Sequence, residues 1–161
     1  MPNQPSSKLN ILEKQIRAEV IKDYLAAKGT KRCVCFTSGN SAKYLRLQGL
    51  KVIGVGDSQE LQTKKWWEFN EIAALGLFDA TSGHLPWPLM LEISKRLKDQ
   101  IKELPKRLVL PTGSGETLVC LKVAFPLTKF YSKYNLNPAT EWSANAPLNK
   151  LVNLFAEEIY Y

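Results

Sequence analysis

Two short β-rich runs separated by a helix-length segment constrain this chain more than any other feature. Arg32-Cys33-Val34-Cys35-Phe36 leads into Thr37-Ser38-Gly39-Asn40, a helical stretch over 41–47 follows, and Lys51-Val52-Ile53-Gly54-Val55-Gly56 is the second run. A return through a helix joins parallel strands, whereas a two-residue hairpin joins antiparallel ones. The same order recurs near residue 110. Residues 106–110 read as a strand, Pro111-Thr112-Gly113-Ser114-Gly115-Glu116-Thr117 as a tight turn, and 118–125 as a helix ended by Pro126. Strands alternating with helices predict an α/β fold: a three-layer, Rossmann-like sandwich around a mostly parallel sheet of four to five strands.

The other segments fill in that outline. Over 9–28, Ile11, Leu12, Ile16, Val20, Tyr24 and Leu25 recur at helical spacing, and Gly29 stops the helix. Residues 59–75 read as a helix carrying Trp66, Trp67 and Phe69, and 77–80 as a short strand. Over 86–104, Leu89, Ile93, Leu97, Ile101 and Leu104 form one apolar stripe with Lys and Arg opposite, ended by Pro105. The tail, 127–161, reads as an aromatic-rich extension with a last helix over 147–159, and residues 1–7 as a frayed start. Neither an internal repeat nor a linker interrupts the sequence, so a single domain over 1–161 is expected.

Composition excludes several classes. A chain of 161 residues that is 45% hydrophobic can bury a core, and 23% charged residues is not the make-up of a disordered chain. No apolar run approaches the ~18 residues of a membrane span. The start lacks the basic region and apolar core of a secretory signal, so a cytoplasmic protein without a membrane partner is expected. Cys33 and Cys35 share one strand face, and with one histidine, His84, neither a disulfide framework nor a metal site is expected.

The net charge of +7 favours acidic partners: a phosphorylated small molecule, a nucleotide or nucleic acid. Lys64 and Lys65 beside Trp66 and Trp67 suit base stacking and phosphate contact, but equally a core or a protein interface. His84 and Asp57 lie in turns, where a structural role competes with a general acid/base or a ribose contact. Phe130, Tyr131, Tyr134, Trp142, Phe155, Tyr160 and Tyr161 suit the cover of a sheet edge or a homodimer contact.

The two strand–turn–helix units carry the chemistry. Each turn is expected at the carboxyl end of a parallel strand, where open α/β sheets bind ligands. Small residues let backbone amides approach an oxyanion, and the helix start adds partial positive charge and hydroxyl donors. The second turn also looks like the first motif of helicase-type ATPases, but Glu116 stands where that motif needs a lysine against the β/γ-phosphates, which excludes the ATPase reading.

Taken in order, these motifs resemble those of the fold type II pyridoxal-phosphate enzymes, the tryptophan synthase β-like family. Lys14, at the start of the first helix in Glu13-Lys14-Gln15-Ile16-Arg17, stands 24 residues before Ser38, and Lys8 stands 30 before it. Thr37-Ser38-Gly39-Asn40 is similar to the family's substrate-carboxylate turn, and Gly113, Ser114, Gly115 and Thr117 to its cofactor-phosphate loop. The resemblance covers residues 8–125 and implies pyridoxal phosphate as cofactor, with Lys14 as its Schiff-base lysine. It also implies amino-acid elimination, replacement or deamination as the chemistry. Glu116 departs from it, standing where the family has a glycine, and family members are longer chains. The alternative is an inactive relative of these enzymes repurposed to bind a nucleotide or nucleic acid.

Overall fold

A computed structural model describes residues 7–36, 41–56, 69–74, 87–112, 116–134 and 154–160. Its α/β class and parallel pairing are those expected, but the described strands divide between two sheets of three instead of one of four or five. The chain forms two compact units, one of Met1–Ile16 with Pro86–Tyr161 and the other Arg17–Leu85. Helix α1, Ser7–Ala27, contributes residues to both. No described helix is long and apolar enough to cross a membrane.

The unit Arg17–Leu85 holds β1 (Arg32–Phe36), α2 (Ala42–Leu47), β2 (Lys51–Gly56) and β3 (Glu71–Ala74), in sheet order β1-β2-β3 with both pairs parallel. Two glycines end the helices. Gly29 (φ 74°) and Gly49 (φ 81°) adopt the left-handed conformation, and the next amides, Thr30 and Leu50, donate back to the carbonyls of Leu25 and Leu45. This is the glycine stop that a residue with a Cβ resists. Cys33, Val34 and Cys35 are all buried, as are Val52 and Ile53, so β1 and β2 are covered on both faces, as in parallel sheets generally.

Gly54 on β2 serves a different need. The Phe69 ring packs against it, and a Cβ there would stand 2.6 Å from the ring's Cδ1. Asn70 then docks the chain onto β2, its amide donating to the Val52 carbonyl and its side-chain oxygen accepting from the Val52 amide. Residues 71–74, expected as the end of a helix, are instead β3. Glu71, Ala73 and Ala74 favour helices locally, but β2 offers an open row of amides and carbonyls, and pairing overrides the local preference. The expected strand at 77–80 and most of the expected helix at 59–75 lie outside the described residues.

The other unit holds α3 (Trp87–Gln100), β4 (Arg107–Thr112), α4 (Glu116–Ala124), β5 (Lys129–Tyr134) and β6 (Ala156–Tyr160), in sheet order β4-β5-β6, again all parallel. Of the stripe expected on α3, Ile93 and Leu97 are buried and Leu89, Ile101 and Leu104 half-buried, while Met90, outside that stripe, is buried as well. Helix α3 packs on α4, whose buried Leu118, Val119 and Leu121 belong to the helix that contacts β4 and β5. Beyond α4, the Lys122 ammonium donates to the carbonyls of Pro126 and Thr128, both at 2.8 Å, which closes the turn into β5.

The tail corrects the sequence reading most. Phe130, expected to cover a sheet edge, is fully buried on the central strand β5, and 156–160 is strand where a helix was expected. Residues 135–153 lie outside the described residues.

Two outcomes follow from this packing. Gly54→Ala lowers stability by about 1–3 kcal/mol in chemical denaturation, because Phe69 must move to admit the methyl group; an unchanged midpoint contradicts the close approach. On the sheet edge, Glu71 bridges Lys51 at 2.8 Å and Arg32 at 3.4 Å. Lys51 first, by hydrogen bond and charge, then Arg32, hold its carboxyl below the usual range. A lowered folded-state pKa adds stability above the unfolded value and loses it as pH falls through the folded one. Glu71→Gln therefore flattens the acid limb of a stability–pH curve, by a small amount for so exposed a bridge.

Candidate functional site

The second strand–turn–helix unit meets the first helix through a buried hydrogen bond. Glu116 opens α4, and both Glu116 and Thr117 are buried. The Thr117 hydroxyl donates to Glu13 Oε2 at 3.1 Å, joining residues 104 apart in sequence. Glu13 is fully buried on α1. A buried carboxyl group is costly unless hydrogen bonds or charge compensate it, so this contact meets part of a real demand.

Lys14 is the next residue and is half-buried. The helix start with the expected Schiff-base lysine therefore lies beside the helix that follows the expected phosphate loop. Of that loop, Thr117 is described, and its hydroxyl is engaged by Glu13. Gly113, Ser114 and Gly115 lie outside the described residues.

The first turn, Thr37, Ser38, Gly39 and Asn40, also lies outside the described residues. Its surroundings are informative. Ser41, immediately after it, makes no side-chain cap on α2; its hydroxyl accepts from Arg17 Nη1 at 3.4 Å. Arg17 is 4% exposed. A guanidinium with little exposure thus anchors the residue from which α2 begins. His84, Asp57, Lys64, Lys65, Trp66 and Trp67 lie outside the described residues, and no described feature favours the nucleic-acid reading.

Glu13 and Arg17 were not singled out by sequence, because charged residues on an amphipathic helix ordinarily face water. The signal was present: positions 13, 16, 17, 20 and 21 follow the 3–4 spacing of one helix face, and all five are buried. The cysteines add no reactive group. Cys33, Cys35 and Cys120 are free and buried, and burial, then the neighbouring Cys33, pushes the Cys35 thiol far above its ordinary value.

No family model matches the sequence, and no curated protein matches it. Among solved structures, the chain is similar to a pyridoxal 5'-phosphate-dependent aspartate racemase, at 14% identity and a TM-score of 0.46, over 75% of this chain and 46% of that one. It is similar to a T.th. threonine deaminase, at 17% identity and a TM-score of 0.41, over 75% of this chain and 49% of that one. Maize serine racemase aligns at 13% identity and a TM-score of 0.47, over 98% of this chain and 70% of that one. The chain spans about half the length of the aspartate racemase and the deaminase.

The Glu13–Thr117 contact has a direct test. Thr117→Val keeps the shape and removes the donor, leaving a buried carboxyl group one hydrogen bond short. It costs about 1–3 kcal/mol in denaturant unfolding, while Thr117→Ser restores most of that. Equal stability of the valine and serine variants would show that the bond contributes nothing.

Proposed function

We propose that this protein binds a small amino-acid-like ligand on a reduced scaffold of the fold type II pyridoxal-phosphate enzymes, of the lyase or deaminase kind. The observation that supports it most is the Thr117–Glu13 hydrogen bond at 3.1 Å, which brings the helix start bearing Lys14 to the start of α4. The family's order of motifs calls for that adjacency between residues more than a hundred apart, and helix amphipathicity alone does not require it.

In this reading Thr37, Ser38, Gly39 and Asn40 hold the ligand carboxylate through backbone amides and hydroxyls. Ser41, tied to Arg17, anchors the far end of that turn. Lys14 is the lysine that the resemblance implies for the Schiff base, and such an amine acts as a nucleophile only when desolvated enough to lose its proton near neutral pH.

Pyridoxal phosphate is the cofactor that the resemblance implies, and it would act as an electron sink for amino-acid chemistry. The residues present do not fit its phosphate. That dianion needs the amides and hydroxyl at the start of α4, where the Glu116 carboxyl is buried and the Thr117 hydroxyl is already donated to Glu13. A second acidic group in such a turn disfavours a dianion. No step is therefore assigned to the cofactor.

Calorimetric titration of the full chain with individual α-amino acids tests the proposal. At least one binds, and Ser38→Ala combined with Asn40→Ala weakens it tenfold or more, while the matching amine without a carboxylate fails to bind. Absence of binding across the amino acids, in protein shown to be folded, sinks the reading.

A further inference from the structure

The N-terminus of α4 has the setting of a phosphate site and the wrong residue in it. Strand β4 ends at Thr112, and the helix begins with Glu116, 1% exposed, followed by Thr117 at 7%. The first-turn amides of a helix have no partners within it and attract negative charge. In a phosphate-binding loop, glycine at this position clears the way for the ligand's oxygens. Here a carboxyl side chain is sealed into that turn, and the neighbouring hydroxyl donates to a second buried acid, Glu13, at 3.1 Å.

We infer that Glu116 is a specificity determinant that makes this turn refuse phosphate groups, so that the protein selects unphosphorylated ligands. Three features act in the same direction. Glutamate brings side-chain bulk that glycine lacks. Its carboxyl group, in the first turn of α4, answers the attraction that the turn offers to an anion. Glu13 withholds the Thr117 hydroxyl that a phosphate would otherwise engage. The inference rests on reading this turn as the counterpart of a phosphate loop, as in the proposed function, but it does not require the amino-acid ligand of that proposal.

The test compares wild type, Glu116→Gly and Glu116→Gln as full chains. Glycine opens the turn, and glutamine keeps the bulk while removing the acid. Thermal melts establish that each variant is folded. Inorganic phosphate and pyridoxal phosphate are the probes, with pyridoxal as the control lacking the phosphate, and affinities are read by calorimetry. Glu116→Gly binds pyridoxal phosphate and inorganic phosphate at least tenfold more tightly than wild type, Glu116→Gln falls between, and pyridoxal affinity is the same in all three.

Wild type binding pyridoxal phosphate within threefold of both variants overturns the inference. Failure of every folded variant to bind either phosphate probe overturns it equally. The amino-acid titration is read separately. Amino-acid binding that survives either of those results leaves the proposed function standing, and a tenfold gain for glycine without amino-acid binding overturns the proposed function alone.

Discussion

Two buried acids at one helix junction are the constraint around which this unit is built. Glu13 on α1 and Glu116 on α4 are both removed from water, and Thr117 donates its hydroxyl to Glu13. Burying carboxyl groups is unfavourable unless the surroundings compensate. The local structure supplies compensation in two forms: a hydroxyl donor, and a helix start whose amides favour an acidic side chain in the first turn. Apolar side chains would fill such a junction at lower cost.

The sheets show how a small chain reaches this arrangement. Each unit has three parallel strands, and in each the middle strand, β2 or β5, is flanked on both sides. Parallel pairing puts the carboxyl ends of a sheet's strands on one edge, and β1 and β4 each end on such an edge. Glycine stops at Gly29 and Gly49 let α1 and α2 end sharply enough to feed β1 and β2. At Gly54 the missing side chain makes room for Phe69. Three glycines thus serve two needs, left-handed backbone and close approach.

Much of this was legible in the sequence. Strands β1 and β2 lie where the β-rich runs predicted, and α1 and α3 within two to four residues of the limits that their apolar spacing suggested. These elements are long or bounded by strong punctuation at Gly29, Gly49 and Pro105. Short elements without such signals were misread. Glu71, Ala73 and Ala74, like Ala156, Glu157 and Glu158, favour helices, and only an open strand edge at β2 or β5 makes them extended. Phe130 and Ser132 alternate inward on β5, a period-two signal masked by its place in an aromatic-rich tail.

By itself the sequence determined where the helices and the main strands form, how α1 and α2 end, that strands joined through helices run parallel, and which turns hold small residues and hydroxyls. Those properties depend on neighbours within about four positions, so a linear reading reaches them. Only the tertiary structure decided that there are two sheets, that β3 and β6 complete them, and that Glu13, Arg17 and Glu116 are buried. Strand pairing and desolvation depend on groups distant in the chain, such as the hydroxyl that reaches Glu13 across 104 positions.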